Sequence, residues 1–546
     1  MDRTVMLRKL PLFVLLPLSV LVLLAGPQRH ACGARFELSV VDEQGAALPC
    51  RVLLRPKNGK CVVPEGAVEL EVGPDRWFMS PGRTVVNVPA GLLDVRVEHG
   101  LEFQRYKGEV RIGNEPTLQQ VTLPRWVNMR ERGYLCGENH VHLDTPSVAK
   151  MLVCEGLDFG SSLTWFNGPD QQRPIPPGKG PVRLLRYAGH AVPSSIYDSE
   201  LEYRWGAAYI QQLPEPLPLK SERGRPNLGY LKHAVAAGGI VHYQAGWSRE
   251  VALDALLGYV HTVNVCNNNF HMHRYQQRSH YSNLLDVEGF PLYPNTEEGM
   301  LRMNTDTYYR LLNWGLELAA GAGSAVGVKE TPVGYNRAYV RVPTGTPLEQ
   351  FNQAWAAGKN FVTNGPMLFL ETADGQRPGD TLAFPAEGGE VRLQLSALSD
   401  QDLQRVEIVM NGSVVAEWDP GDDCRELSLE TKLPIRKGAW IAARATAEDR
   451  LLTDDELARF AHGTEDDLYR IRPSRLRFAH TSPIYVRVGG ELAAVDKSID
   501  EGLRMLDRFA LFAREHADPR YLPDITEALT KARKKLETRR DSGSSS

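Results

Sequence analysis

The strongest constraint on the fold is a change of hydrophobic rhythm along the chain. Between Arg35 and about Thr122, apolar and polar residues alternate in short runs at 36–41, 51–55, 84–88 and 93–97. Period-two alternation describes half-buried strands, and the turn signals Pro89-Ala-Gly91 and Ile112-Gly-Asn separate them. This predicts a small antiparallel β-sandwich over 35–124. From roughly Arg125 to Met367 the pattern differs: largely apolar runs at 156–159, 239–243 and 262–266 alternate with helical patterns at 228–237 and 307–318. Buried strands interleaved with helices predict a βα barrel or a doubly wound sheet over 125–370. Strands return at 391–395, 405–409 and 439–443, which predicts a second sandwich over 371–490. The last segment, 491–546, is helical, with Ile499, Leu503, Leu506 and Phe509 on one face and Ile525, Leu529 and Leu536 on another. Its Ser-Gly-Ser tail is expected to be disordered. The fold class is therefore multidomain, α/β plus β.

Chain length agrees, because 546 residues exceed what one ordinary core organises. With 63 basic against 67 acidic side chains, the net charge of −4 gives no electrostatic reason to expect a nucleic-acid partner. The basic run at 531–540 is interleaved with apolar residues and reads as a solvated helix face. At the start, Arg3, Arg8 and Lys9 precede an apolar stretch to Ala25 and then small residues. That order predicts a secretory signal peptide over 1–34, cleaved near Gly26 or Ala34, with an uncleaved anchor as the alternative. Export to the periplasm, cell envelope or medium follows, with no integral membrane domain after cleavage. The 7 cysteines show no CxxC spacing, which argues against a thiolate zinc site. Cys50 and Cys61 are the one candidate bridge.

The most informative segment for chemistry is Gly137-Glu-Asn-His-Val-His142. In an extended strand Glu138, His140 and His142 would share a face. Two imidazoles and a carboxylate at a strand end suit Zn²⁺, Mn²⁺ or Fe²⁺. His242 ends another apolar run, and Asn267-Asn-Asn-Phe-His271-Met-His273 supplies a second H-x-H after the run 262–266. Asn267, Asn268 and Asn269 can donate to a substrate oxygen or satisfy loop backbone. Trp165 and Trp247 can wall a pocket or pack in a core. No G-x-S-x-G elbow and no GxxxxGK[ST] loop occurs. The glycine-rich Gly321-Ala-Gly-Ser-Ala-Val-Gly327 reads as a site of close packing.

The stretch from Trp126 to Pro366 resembles the PHP (polymerase and histidinol phosphatase) superfamily, especially its exported CehA/McbA-like branch, which includes carbaryl hydrolase. The resemblance rests on Arg132-Gly-Tyr-Leu-Cys-Gly-Glu-Asn-His-Val-His142, Glu155-Gly-Leu-Asp-Phe159, Leu163-Thr-Trp-Phe-Asn167, Tyr308-Tyr-Arg-Leu-Leu-Asn313 and Gly321-Ala-Gly-Ser324. Pro332-Val-Gly-Tyr-Asn-Arg337, Phe361-Val-Thr-Asn-Gly-Pro366 and Phe478-Ala-His-Thr-Ser-Pro483 extend it. The resemblance implies a distorted βα barrel between two sandwiches, holding up to three metal ions. It assigns His140 and His142 to the first ligand pair, Glu200 or Glu202 to a bridging carboxylate, and His242 to a strand-end ligand. Two departures stand out. The usual Thr-Asp-His is Thr164-Trp165-Phe166 here, and the usual Ser-Asp-x-His is Ser324-Ala325-Val326-Gly327. Fewer than three ions are therefore expected, with His271 and His273 filling in. The implied activity is hydrolysis of an ester, amide, carbamate or phosphoester by metal-bound hydroxide, with Glu138 or Glu200 as general base. Asn267, Asn269, Trp165 and Ser324 would line the pocket for a small-molecule or envelope-derived substrate. The alternative is a non-catalytic binding protein of the cell envelope, whose pocket and flanking sandwiches hold a carbohydrate or another envelope component.

Overall fold

The computed structural model describes residues 33–168, 172–245, 249–277, 293–294, 296–461 and 470–544. The signal-peptide segment, apart from its last two residues, and Trp247 lie outside the described residues. The chain is mixed α/β, and strands take 39% of it, so sheet pairing rather than helix packing sets the architecture. Eight α-helices occur among the described residues, none long and apolar enough to cross a membrane.

The N-terminal alternation forms two sheets. The strands Ala34–Val41, Arg83–Val88 and Thr117–Thr122 make one, and Glu69–Val72, Asp75–Ser80, Cys50–Pro56, Gly91–Glu98 and Tyr106–Ile112 make the other. Their inward residues, including Phe36, Leu38, Val52, Leu54, Phe78, Val95 and Val97, form a separate apolar cluster. The expected antiparallel pattern needs one amendment. Ala34–Val41 and Thr117–Thr122 run parallel, which the long excursion between them permits. Cys50 and Cys61 are both free thiols, so the candidate bridge does not form.

In the centre a six-stranded sheet runs in the order Leu163–Phe166, Asp198–Leu201, Ala208–Gln211, Ile240–Gln244, Thr262–Cys266 and Ala319–Ala322. The helices Asn227–Ala236, Val251–Leu256 and Glu297–Leu312 separate its later strands. Its hydrogen-bonded path is open, and Ala208–Gln211 pairs antiparallel with both neighbours. The connection before that strand is too short for the dozen or so residues a parallel crossover needs. The run 156–159 is not a strand. It is the exit of the helix Thr145–Cys154, where Gly156 takes φ 65° and Leu157 N–H bonds back to Leu152 O at 3.0 Å. The strand begins later, at Leu163.

A nine-stranded sheet carries Tyr134–Gly137 at one edge, beside Arg337–Arg341, Asn360–Thr363 and Leu476–Thr481. Backbone pairing therefore continues between segments on either side of residue 370. The strands Met367–Thr372, Gly389–Leu398 and Glu426–Ile435 form a separate three-stranded sheet, interleaved in sequence with the later strands of the nine-stranded one. Two helices, Asp496–His516 and Leu522–Ser544, close the chain, and the second extends into the tail expected to be disordered. Ile499, Leu506, Phe509, Ile525 and Leu536 are buried, as their spacing predicts.

One buried polar cluster behind the central sheet sets a pH dependence. Glu250 accepts from the N–H groups of Asn227 (2.8 Å) and Leu228 (3.0 Å), and Asp254 accepts from the Tyr243 hydroxyl at 2.7 Å. Burial pushes the Asp254 carboxyl up to about 8 and raises Glu250 well above its usual range, with Asp254 adding repulsion. Both folded-state values exceed those of the unfolded chain, so the native state binds these protons more tightly. Their contribution to stability is complete at low pH and declines from about pH 4 as pH rises through about 8. Urea midpoints measured between pH 5 and 9 should fall for the native chain and fall less for Asp254→Asn. Parallel curves for the two proteins would refute this assignment.

Candidate metal centre

The strand Tyr134–Gly137 ends just before the H-x-H segment, which continues in irregular backbone bridged only at Val141 to Val326. His140 and His142 still converge, their Nε2 atoms 2.7 Å apart. Glu200, on the strand Asp198–Leu201, completes the group, its carboxylate oxygens 3.4 Å from His140 Nε2 and 3.3 Å from His142 Nε2. All three are buried, and their ligand atoms lie within 4.8 Å of one another. Among the described residues this is the group of histidine and acidic side chains that could hold a metal ion.

Its donors fit a small divalent cation. Nitrogen and oxygen ligands about 2.0–2.1 Å from a tetrahedral ion stand roughly 3.3 Å apart. The two histidine-to-glutamate separations match that value, and the imidazoles need to part by only a fraction of an ångström. Electrostatics points the same way. Burial, reinforced by Lys329, holds His140 well below the usual histidine range. Burial lowers His142 to about 4 against the opposing pull of Glu200. Both rings are therefore neutral at pH 7 with lone pairs available. Burial raises the Glu200 carboxyl, because neutral imidazoles offset its charge poorly. A cation among the three would supply the missing charge.

Aromatic rings fix the imidazole planes. His140 lies 4.0 Å, centroid to centroid, from Tyr209, and His142 stacks on Phe166 at 5.4 Å. His140 Nδ1 is buried without a hydrogen-bond partner, so Tyr209 does the orienting that a carboxylate or carbonyl usually performs. Gly323 is required here: an added Cβ would stand 2.6 Å from His140 Cβ and 2.6 Å from Asn139 Oδ1. That is the close packing expected of the glycine-rich run. Phe166, where the resemblance expects a histidine ligand, packs on the pair instead.

The group opens onto a cavity of about 480 Å³ that is also lined by Glu202, Gln244, Asn268, His271, Arg274, Gln276 and Lys329. Glu200 rather than Glu202 approaches the histidines, since Glu202 is exposed at the cavity. His271 shares the cavity but stands outside the three-residue group.

Other candidates are elsewhere. Glu138 is buried with its carboxylate on the backbone N–H groups of Ser324 and Gly334 (2.7 Å for the latter), and burial raises it to about 8. It ties two loops together rather than facing the histidines, because the chain leaves extended backbone after Gly137 and strict alternation fails. Ser324 is spent in that tie and in accepting from Asn336 N–H at 3.0 Å. His242 bonds Thr262 Oγ1 at 2.7 Å beside Trp355 and does not line the cavity. His273 sits in a tight turn at φ 60° between Phe270–His271 and Arg274–Gln277. The turn directs it away from His271, to Arg477 at 3.0 Å and Asp449 at 3.5 Å. Asn267 satisfies loop backbone, accepting from Asn269 N–H and donating to Asn264 O, both at 3.0 Å. Asn269 is fully buried away from the cavity lining. Trp165 packs in the core against Tyr230. Sequence reasoning missed Tyr209, Gln244, Arg274, Gln276 and Lys329. Only Arg274 and Gln276 carried a signal, the two-residue spacing that follows the second H-x-H.

No family model, curated protein or solved structure matches the chain.

Proposed function

We propose that this chain is an exported metal-dependent hydrolase of the PHP type, nearest in character to the CehA/McbA-like branch. It would act on an ester, amide, carbamate or phosphoester bond of a small-molecule or envelope-derived substrate. The observation that carries this reading is the buried His140, His142 and Glu200 group lining a cavity of about 480 Å³. A single divalent transition metal, Zn²⁺, Mn²⁺ or Fe²⁺, would supply Lewis acidity there and lower the pKa of water. His140 and His142 offer neutral nitrogens, Glu200 offers the anionic oxygen, and Tyr209 and Phe166 hold the rings in place. Glu202, exposed in the same cavity, is positioned to pass a proton to solvent. A distorted barrel flanked by sandwiches at 35–124 and 371–490, and a signal peptide over 1–34, belong to the same proposal. The separate N-terminal apolar cluster supports the first of those divisions.

A second reading, a non-catalytic envelope binding protein, draws on Phe166, which stacks on His142 where the superfamily pattern has a ligand. One experiment separates the two. The full chain, purified without chelators, should hold about one transition-metal ion per chain. With added Mn²⁺ or Zn²⁺ it should turn over at least one of a panel of nitrophenyl esters, carbamates and phosphoesters. Metal without turnover favours the binding protein, and absence of metal overturns the hydrolase reading.

A further inference from the structure

The three side chains of the metal centre come from two different sheets. His140 and His142 follow the strand Tyr134–Gly137 at the edge of the nine-stranded sheet, whereas Glu200 lies within the six-stranded one. The spacing of the donors therefore depends on what fastens the H-x-H segment to the second sheet. Backbone bonds do part of this, from Asn139 N–H to Ala322 O at 3.3 Å and from Leu163 N–H to Val141 O at 3.1 Å. The side chain of Asn139, next in sequence to the first ligand, supplies a further joint.

Asn139 Nδ2 donates to Asn264 Oδ1 at 2.9 Å, and Asn264 Nδ2 donates back to Asn139 Oδ1 at 2.8 Å. Both residues are fully buried. Two opposed bonds between planar amides fix separation and relative orientation together, because hydrogen bonds at an amide oxygen favour its plane. Asn264 is itself anchored within Thr262–Cys266, in register with Gln244 on one side and Gly321 on the other. A Cβ at Gly321 would overlap Asn264 Oδ1, and one at Gly323 would stand 2.6 Å from Asn139 Oδ1 and 3.3 Å from Asn264 Nδ2. Two glycines thus keep open the space that one amide pair fills. Support of the fold alone does not call for polar groups here. An apolar pair of the same shape would fill the space at nearly equal stability, but it would lack direction. Direction matters at this point because His140 Nδ1 has no hydrogen-bond partner of the kind that usually sets a ligand ring.

We propose that Asn139 and Asn264 are positioning residues of the metal centre, their reciprocal amide bonds holding the His140–His142 segment at the distance from Glu200 that one divalent ion requires. The inference rests on the metal-binding half of the hydrolase reading.

The test measures the Zn²⁺ affinity of the full chain by competition with a chromophoric chelator, and the visible spectrum of the Co²⁺-loaded protein. Asn139→Leu/Asn264→Leu removes both amides at once and keeps their shape, so neither is left unpaired. Asn264→Ala removes only one. The double variant should keep a metal-free thermal midpoint close to native, yet bind Zn²⁺ about 10–100-fold more weakly and shift the Co²⁺ bands. Asn264→Ala should lose affinity in the same range and also melt earlier. A purely structural pair would lower the thermal midpoint and leave the Zn²⁺ affinity of the folded protein unchanged. Native Zn²⁺ affinity in either folded variant overturns the proposal. Failure of both variants to fold overturns it too, by assigning the pair to stability. In either case metal binding by the native chain leaves the hydrolase reading standing, whereas a native chain that binds no Zn²⁺ overturns that reading and the proposal together.

Discussion

Replacing His140 and His142 together by alanine is expected to take bound metal from about one ion per chain to none, and hydrolysis with it. The two rings supply two of three donors, and Glu200 alone, 3.3–3.4 Å from both, retains a cation no better than an ordinary buried carboxylate. Loss of a group that merely orients a ligand costs about 10–100-fold in affinity or activity, and loss of two direct ligands must exceed that. The imidazoles are neutral and partly stacked, so their removal leaves small gaps beside Tyr209 and Phe166 rather than unpaired charges. The variant should therefore stay folded. Elemental analysis and circular dichroism on the same sample make the check. Full metal content in the double variant would place the ion elsewhere.

The largest effect on stability is expected from Asp449→Ala, a loss of about 3–5 kcal/mol. Asp449 is fully buried and joins three regions. It accepts from Arg105 at 2.7 and 3.1 Å, from Arg477 on the strand Leu476–Thr481, and lies 3.5 Å from His273 Nδ1 in the cavity hairpin turn. Its removal leaves two guanidiniums buried without their shared carboxylate. Although burial opposes ionisation, Arg105 and Arg477 hold the Asp449 carboxyl well below the usual range. A depressed folded-state pKa gives stability that is present above the unfolded value of about 3.9 and is lost as pH falls below it. The native and variant proteins should thus differ widely in urea midpoint at pH 7, and the gap should narrow only below about pH 4, as pH falls toward the depressed folded-state value. A constant gap would mean that the charge is not what Asp449 contributes.

Much of the secondary structure was legible because burial on one face imposes a period. The runs at 51–55, 84–88, 262–266 and 439–443 all fall within strands, and the C-terminal stripes fall on helices. The misreadings have local causes. Residues 156–159 are as apolar as a strand, but Gly156 in the left-handed region makes them a helix exit. The central sheet is not uniformly parallel, because hydrophobicity does not encode the direction of a neighbour. Among ligand candidates, the H-x-H spacing brings His140 and His142 together, whereas at His271 and His273 a tight turn breaks the alternation and parts the two rings.

The sequence by itself determined that His140 and His142 lie close together, since two residues of chain allow little else, and that strands dominate both flanks. Only the tertiary structure decided which carboxylate joins them. Glu200 reaches the pair because its strand lies parallel to Leu163–Phe166, a pairing set by backbone hydrogen bonds between segments about thirty-five residues apart. It also decided that Glu138, the nearer carboxylate in sequence, serves the Ser324 and Gly334 backbone instead. Buried N–H groups must find acceptors, and that demand is met in three dimensions, out of reach of any local spacing rule.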